Sequence, residues 1–223
     1  MNKVIAVVMN YNQDEQSRKI NSKLSCESYI VDSSGIEKYG MIKSEQKFYT
    51  GNFNKACKIF IESNADYCIF ICSDIICDFK RLVRKVSLLD KNIGIYSPKI
   101  KGTGNQIKGK CTDGCIIVIN RKIIESVYPI IDNKYGHGID LFCCMICKKL
   151  GFKLFIDEKI KAIHTNGKSY DNELAKKEFK DYFNNKGLND FVKDFPLIWK
   201  WKMGVCLRFP FNYLKKVTNL IRR

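Results

Sequence analysis

Polar side chains suited to binding a nucleotide and a divalent cation follow several short apolar runs of the chain. In an open α/β sheet, ligands bind beyond the carboxyl ends of the strands, so polar residues at these positions are the first candidates for a site. Carboxylate oxygens and imidazole nitrogens are the ligands that Mg²⁺ and Mn²⁺ accept from proteins. Any one of these residues alone is more often a helix cap. The candidates are Asn10, Tyr11 and Asn12, then Asp32, then Ser73 and Asp74, and finally His164.

The elements that would position these residues alternate between strands and helices. Short apolar runs predict strands at 4–9, 29–31, 67–72, 93–96 and 115–119, with two further short strands at 154–156 and 160–163. Helical spacing predicts helices near 53–61, 82–89 and 122–127, and one from Asp140 to Gly151. Residues 99–113 are polar and predict a loop. This alternation is typical of an α/β fold with a mainly parallel sheet flanked by helices.

The order of these motifs resembles glycosyltransferase family 2, whose members have the GT-A fold. The likeness spans roughly residues 3–170. It rests on a first strand ending at Tyr11-Asn12, a second strand ending at Asp32, the segment Gly51-Asn52-Phe53-Asn54, the motif Cys72-Ser73-Asp74, and His164 after a late strand. The resemblance implies two halves within residues 1–170, with the nucleotide sugar bound by 1–98 and the acceptor by 99–170. Residues 171–223 would form a helical extension.

The resemblance also implies roles for these residues. Asp32 would contact the nucleobase of the donor, and Asp74 with His164 would hold Mn or Mg. Tyr11, Asn12, Asn54 and Ser73 would complete the site for a nucleoside-diphosphate sugar, with a UDP-sugar as the first choice. The implied activity is an inverting, metal-dependent transfer to a glycan or a lipid-linked acceptor in bacterial polysaccharide synthesis, namely lipopolysaccharide, O-antigen or capsule.

Two positions depart from the family pattern. Many members carry Gly-Glu-Asp-x-Asp before the acceptor-side helix, whereas this chain has Gly136-His137-Gly138-Ile139-Asp140. The acceptor hydroxyl must lose a proton, so Asp140 is the predicted general base and His137 its rival. Alternatively, Asp140 only caps its helix. Cys72 also replaces an acid in the metal motif, which leaves open a catalytically inactive member of the family. The excess of basic residues leaves open a basic nucleic-acid-binding module.

The charge of the chain is strongly positive and unevenly distributed. The net charge is +16, and residues 197–223 contain seven Lys or Arg side chains and no Asp or Glu. Trp199 and Trp201 lie among them. Basic and aromatic side chains together suit the surface of an anionic membrane, although they also suit single-stranded RNA. The family resemblance favours the membrane over a nucleic acid, and a packed helix is the remaining alternative.

The composition predicts a globular protein of the cytoplasm, and the family resemblance implies that it is peripheral on the inner face of the plasma membrane. No apolar run approaches the roughly 18 residues of a spanning helix, and the amino terminus does not have the pattern of a signal peptide. The eleven cysteines are odd in number and scattered through apolar stretches, so we expect them to be reduced. Cys144 and Cys147 have no second pair at the spacing of a zinc site.

Overall fold

An eight-stranded mixed sheet organises the chain. The structure is a computed structural model that describes residues 1–45, 48–101, 106–131, 133–165 and 173–192. The strands lie in the order β3-β2-β1-β4-β7-β6-β8-β5. Their bounds are β1 (Val4–Asn10), β2 (Glu27–Asp32), β3 (Ile42–Lys43), β4 (Tyr67–Cys72), β5 (Ile75–Cys77), β6 (Ile93–Lys101), β7 (Ile116–Asn120) and β8 (Lys153–His164).

Helices lie between the strands and pack on both faces of the sheet, and further helices follow β8. They are α1 (Asp14–Asn21), α2 (Phe48–Glu62), α3 (Phe79–Ser87), α4 (Arg121–Val127), α5 (Ile139–Lys149), α6 (Glu173–Asn185) and α7 (Leu188–Val192). Asp78 caps α3 by accepting a hydrogen bond from the Arg81 N–H, and Asn120 caps α4 in the same way. These side chains satisfy amide groups that have no partner within the helix.

Both faces of the sheet are buried at β1 and β4. All seven residues of β1 are buried, as expected for a strand inside a parallel sheet. On one face Ile69 and Ile71 share a core with Leu82 and other residues of α3. On the other face the Phe70 ring stacks on Phe53 of α2, with the ring centroids 5.0 Å apart. The predicted α/β architecture is therefore confirmed.

The direction of β7 determines which loops reach the candidate site. β1 is parallel to β2 and β4, and β6 is parallel to β8, but β7 runs antiparallel to both β4 and β6. The carboxyl ends of β1, β2, β4, β6 and β8 therefore lie at one edge of the sheet, together with the amino end of β7. Residues just before β7 belong to the same edge as residues just after the parallel strands.

The late part of the sheet differs from the prediction at two places. The predicted strands at 154–156 and 160–163 are one strand, β8, whose pairing with β6 slips between Pro98–Asp157 and Lys99–Lys161. The carboxylate of Asp157 accepts a hydrogen bond from the Lys159 N–H at 2.8 Å, which forms a local turn at this bulge. β6 continues to Lys101, so the predicted loop from 99 to 113 starts too early.

Clustering of contacts divides the chain into two compact units, Met1–Leu188 and Asn189–Arg223. The basic aromatic residues 197–223 lie outside the described residues, so their predicted role is unaffected by the structure. Among the helices of the described ranges, none combines the length and the apolar character needed to cross a bilayer. Several cysteines of the first unit pack in its core as predicted, including Cys68, Cys143, Cys144 and Cys147.

Candidate active site

Asp74 and His164 are in direct contact at the carboxyl edge of the sheet. His164 Nε2 lies 2.9 Å from Asp74 Oδ2. The pairing of β5 with β8 brings the two residues together, because Ile75, which follows Asp74, is the register partner of His164. Thr165 strengthens the junction by donating from its N–H and its hydroxyl to the Asp74 carbonyl oxygen, at 3.0 and 2.9 Å. Two residues that are far apart in sequence thus form one polar pair.

The pair is partly shielded from water, with side-chain exposures of 19% for His164 and 14% for Asp74. The hydrogen bond to Asp74 raises the pKa of His164; burial opposes this shift, and the negative charge of Asp113 adds to it. An imidazole next to carboxylates favours the protonated form. A cation bound here would replace that proton.

The donor set of this pair fits a divalent cation that takes its other ligands from elsewhere. One carboxylate and one imidazole suit Mn²⁺ better than Mg²⁺, which prefers oxygen ligands. Across the described ranges, no group of three or more His, Cys, Asp or Glu side chains is arranged to hold a metal ion. Asp74 and His164 would therefore supply two ligands, and the oxygens of a bound diphosphate or water would supply the rest.

Asp140 lies in the first turn of α5, and its side chain is half-buried. Gly138 precedes this helix with φ of 84°, a conformation that favours glycine. Asp140 Oδ2 accepts a hydrogen bond from the Gly114 N–H at 3.1 Å. Burial, followed by the negative charge of Asp113, raises the pKa of Asp140 to about 7, although hydrogen bonds from the Leu141 and Gly114 amides act in the opposite direction. Such a carboxyl can accept a proton near neutral pH.

Asp113 is a site residue that the sequence did not reveal. It lies just before β7, and its charge acts on both Asp140 and His164. Its carboxylate accepts a hydrogen bond from the Cys115 N–H at 3.0 Å. A residue that precedes a strand lies at the carboxyl edge of the other strands only if its own strand is antiparallel to them. An acid before an apolar run is therefore a candidate for this site only once the strand direction is known. The apolar pattern predicts the strand but not its direction, so the sequence places Asp113 only at the end of a polar loop.

His137 lies in the turn that leads into α5. Asn133 organises this turn, since its Nδ2 donates to the His137 carbonyl oxygen and its Oδ1 accepts from the Gly136 N–H, both at 2.7 Å. The Tyr135 N–H donates to Glu178 of α6 at 2.8 Å. The structure thus places both predicted bases, His137 and Asp140, near the start of α5. Asp140 has the hydrogen-bonded carboxyl, whereas His137 contributes its main chain to the turn.

Asp32 is more deeply buried than its predicted role requires. Only 1% of its surface is exposed, and its oxygens accept hydrogen bonds from Asn10 Nδ2 at 2.6 Å, from Lys38 Nζ at 3.3 Å and from Ser34. Lys38 also contacts Asp14 at 2.7 Å. The hydrogen bond from Lys38 lowers the pKa of Asp14. A nucleobase would have to replace one of these partners to reach Asp32.

Tyr11 and Asn12 follow β1 at the same edge as Asp74. Tyr11 is 39% exposed and stacks on Phe48 with ring centroids 6.1 Å apart. Phe48 in turn contacts the Tyr135 ring at 4.9 Å, so aromatic side chains connect the end of β1 with the turn before α5. Asn12 has φ of 56° and Phe48 has φ of 66°, a region that bulky residues rarely adopt. Ser73, beside Asp74, is buried.

Asn54 holds α2 to the segment that follows α4. Its Nδ2 donates to the Ile130 carbonyl oxygen at 2.7 Å, and its Oδ1 accepts from the Ile130 N–H at 2.9 Å. Both polar atoms of the side chain therefore have main-chain partners. Each of these atoms keeps one further hydrogen-bonding position, so a contact of Asn54 with the donor stays a prediction.

Known proteins resemble this chain in structure rather than in sequence. No family model matches the sequence, and no curated protein matches it. The crystal structure of S. aureus TarS superposes with a TM-score of 0.55 at 12% identity, covering 84% of this chain and 39% of TarS. GalNAc-T7, solved with UDP, GalNAc and Mn²⁺, gives 0.59 at 11% identity, covering 95% of this chain and 58% of that protein.

The chain therefore spans less than two thirds of the length of either protein. Both are glycosyltransferases of the GT-A fold. At this level of identity the likeness concerns the fold, and it agrees with the mixed sheet and its flanking helices. The predicted GT-A architecture is confirmed: this chain has the GT-A fold.

Proposed function

We propose that this chain is a glycosyltransferase that moves a sugar from a nucleoside-diphosphate sugar to a hydroxyl group of a glycan or a lipid-linked acceptor. One observation supports the proposal most strongly. The Asp74–His164 pair and the Asp140 carboxyl lie at the same edge of a GT-A sheet. The Asp74–His164 pair suits a divalent cation, and the Asp140 carboxyl suits a proton. A metal-dependent, inverting transfer from a sugar diphosphate would use both.

The proposed donor is a UDP-sugar, and the proposed cation is Mn or Mg. GalNAc-T7 was solved with UDP and Mn²⁺, which supports this choice by analogy of fold alone. When bound, the cation would offset negative charge that develops on the leaving diphosphate. Asp74 and His164 would hold it, while Tyr11, Asn12 and Ser73 lie at the same edge, in position to line the nucleotide site.

The proposed reaction is a single displacement with inversion at the anomeric carbon. The acceptor oxygen forms a bond to that carbon while the bond from the carbon to the diphosphate oxygen breaks. The proton of the acceptor hydroxyl moves to Asp140, whose raised pKa allows it to take a proton at neutral pH. The Gly114 and Leu141 amides hold the carboxylate in place through hydrogen bonds.

The proposed setting is bacterial polysaccharide synthesis by an enzyme of family 2 or a close relative. The motifs at Tyr11-Asn12, Cys72-Ser73-Asp74 and His164 support this assignment. Residues 197–223 would bind the enzyme to the anionic inner face of the plasma membrane, where lipid-linked acceptors are found.

A donor screen tests the proposal. Melting temperatures are measured with several sugar nucleotides, each with and without Mn²⁺, and release of the nucleoside diphosphate is then followed for those that bind. A ligand at about 100 times its dissociation constant should stabilise the fold by about 2.7 kcal/mol. Binding without any cleavage would indicate a catalytically inactive GT-A protein, in line with Cys72 at the metal motif. Salt-sensitive RNA binding without metal, and no nucleotide-sugar binding, would indicate a nucleic-acid module.

A further inference from the structure

Tyr49, near the start of α2, contacts the residue that binds the proposed base. Tyr49 Oη donates a hydrogen bond to the Gly114 carbonyl oxygen at 3.0 Å. The Gly114 N–H donates to Asp140 Oδ2 at 3.1 Å. Gly114 is thus held on one side by Tyr49 and bound on the other to Asp140. A chain of two hydrogen bonds connects α2 to the carboxyl of α5 through the amino end of β7.

Two glycines leave the space that the Tyr49 side chain occupies. A Cβ atom at Gly114 would lie 3.0 Å from Tyr49 Oη and 3.3 Å from Asp140 Cβ. A Cβ atom at Gly136, whose φ is +85°, would lie 2.3 Å from Tyr49 Cδ1. The ring also stacks on Phe53, with the ring centroids 6.3 Å apart and an angle of 15° between the planes. The ring is therefore fixed on the side of the turn before α5 and on the side of α2.

We propose that Tyr49 is a positioning residue, which holds Gly114 against Asp140 and thereby fixes the orientation of the Asp140 carboxyl towards the acceptor hydroxyl. This inference rests on the proposed function. Tyr49 itself takes no proton in the reaction. Its hydroxyl fixes the main chain of Gly114, whose amide then has the direction and distance needed to bind Asp140 Oδ2. The Leu141 N–H binds Oδ1, and the remaining lone pairs of the carboxylate can accept the proton of the acceptor.

The ionisable groups around Asp140 determine whether its titration can report the loss of the hydrogen bond from the Gly114 N–H. Burial, followed by the charge of Asp113 before β7, raises the Asp140 pKa. The other ionisable groups that interact with Asp140 are the Tyr49 phenol and four thiols, and burial raises the pKa of each of them, so they stay neutral near pH 7. These thiols belong to Cys72, Cys111, Cys143 and Cys144. These groups therefore add no second titration near neutral pH. His164 has a raised pKa and shares the charge of Asp113 with Asp140, and the Asp140→Asn protein separates its response from that of Asp140.

The first test is Tyr49→Phe, which keeps the ring against Phe53 and removes only the hydroxyl. Mn-dependent binding of UDP should be unchanged, while kcat for transfer should fall about tenfold with little change in KM for the donor. The pH midpoint of kcat/KM should rise by about half a unit, because the carboxylate loses part of a stabilising hydrogen bond. Tyr39→Phe is the matched control, since Tyr39 is 94% exposed. It should behave like the unchanged protein.

The second test needs no turnover and can be made on the unchanged chain by NMR. The Gly114 amide proton should shift with pH at the midpoint of the Asp140 carboxyl, and this response should be absent in Asp140→Asn. In Tyr49→Phe the response should be smaller. If no sugar nucleotide is cleaved, the proposed function fails while this titration still reports on the contact. A Gly114 amide that ignores the Asp140 titration, or a Tyr49→Phe protein identical to the unchanged chain in both tests, would overturn the inference.

Discussion

Asp140 is the residue on which the proposed proton transfer depends. In Asp140→Asn the amide can still accept the Gly114 hydrogen bond, but it can no longer take a proton from the acceptor. We expect transfer to fall by a factor of about 100 or more while binding of the donor is retained. Steady-state kinetics and calorimetry on the same preparation measure the two effects. A mild effect of Asp140→Asn together with a severe effect of His137→Ala would assign the base to His137.

The raised pKa of Asp140 predicts two pH effects of opposite sign. Because only the ionised carboxyl can accept a proton, kcat/KM should rise with pH through a midpoint near 7. The folded state also binds a proton at pH values where the unfolded state, with an Asp pKa of about 3.9, has lost it. The free energy of unfolding should therefore fall as the pH rises from about 4 towards 7, because the unfolded state ionises this carboxyl first.

Above pH 7, Asp140→Asn should consequently raise the free energy of unfolding by about 1 kcal/mol, because it removes a carboxyl that folding keeps from ionising freely. Denaturant titrations at pH 5 and pH 8 measure the difference. Equal stability of the two proteins at both pH values would show that the Asp140 carboxyl titrates as an ordinary surface acid.

Individual residues show where sequence reasoning succeeds and where it stops. Asp74 and His164 follow apolar runs, and the structure brings them within 2.9 Å of each other. The role of Asp32 is harder to read, because the sequence does not show that Asn10 and Lys38 already bind its oxygens. Asp113 was missed for a reason of topology: it precedes an antiparallel strand, and hydrophobic patterning carries no information on strand direction.

Arg121 joins α4 to the end of α2 through its guanidinium group. It begins α4 and donates hydrogen bonds to the carbonyl oxygens of Phe60, Ile61, Ser63 and Ala65, which lie at the end of α2 and just after it. Its guanidinium carbon lies 4.8 Å from the centre of the Phe60 ring. Positive charge at a helix carboxyl end is favourable, and these carbonyl groups have few other partners within the helix.

We expect Arg121→Ala to lower the free energy of unfolding by about 2–3 kcal/mol, since several charge-assisted hydrogen bonds are lost together. Lys122→Ala is the control, because Lys122 is exposed and a surface change of this kind typically stays within about 0.5 kcal/mol. Denaturant unfolding at pH 7 measures both. A loss below about 1 kcal/mol for Arg121→Ala would mean that water replaces the guanidinium at the end of α2.

Elements were predicted well where the apolar pattern is long and poorly where it is short or interrupted. The buried strands β1 and β4 and the helices α3 and α4 match the pattern of the sequence. The two-residue β3 and the three-residue β5 are too short to give a periodic signal. β8 was divided because Asp157, Glu158 and Lys159 have the composition of a turn, although the bulge lies inside one strand.

At the scale of the whole molecule, the uneven charge predicts attachment to anionic membranes. Residues 197–223 carry seven basic side chains without an acid, together with aromatic residues. Deleting them should leave a folded protein, because the sheet lies within the first compact unit, Met1–Leu188. Sedimentation with anionic vesicles should be lost in the truncated protein.

Salt provides an internal control for this deletion. With the full chain, about 0.5 M salt should weaken vesicle binding without abolishing it, because screening removes the contribution of Lys and Arg and leaves that of the tryptophans. Circular dichroism of the truncated protein establishes whether it folds. Unfolding on truncation, or a full chain that ignores anionic vesicles at low salt, would make residues 197–223 a structural part of the protein.

The most direct test of the whole account is calorimetric titration of the full chain with UDP, in the presence and absence of Mn²⁺. If Asp74 and His164 hold a cation that binds the diphosphate, UDP should bind with Mn²⁺ and fail to bind measurably after chelation. Asp74→Ala should abolish the Mn-dependent binding without changing the melting temperature of the free protein, and His164→Ala should weaken it to a smaller extent. UDP binding that is equally strong without Mn²⁺, or undiminished in Asp74→Ala, would contradict the assignment of this site.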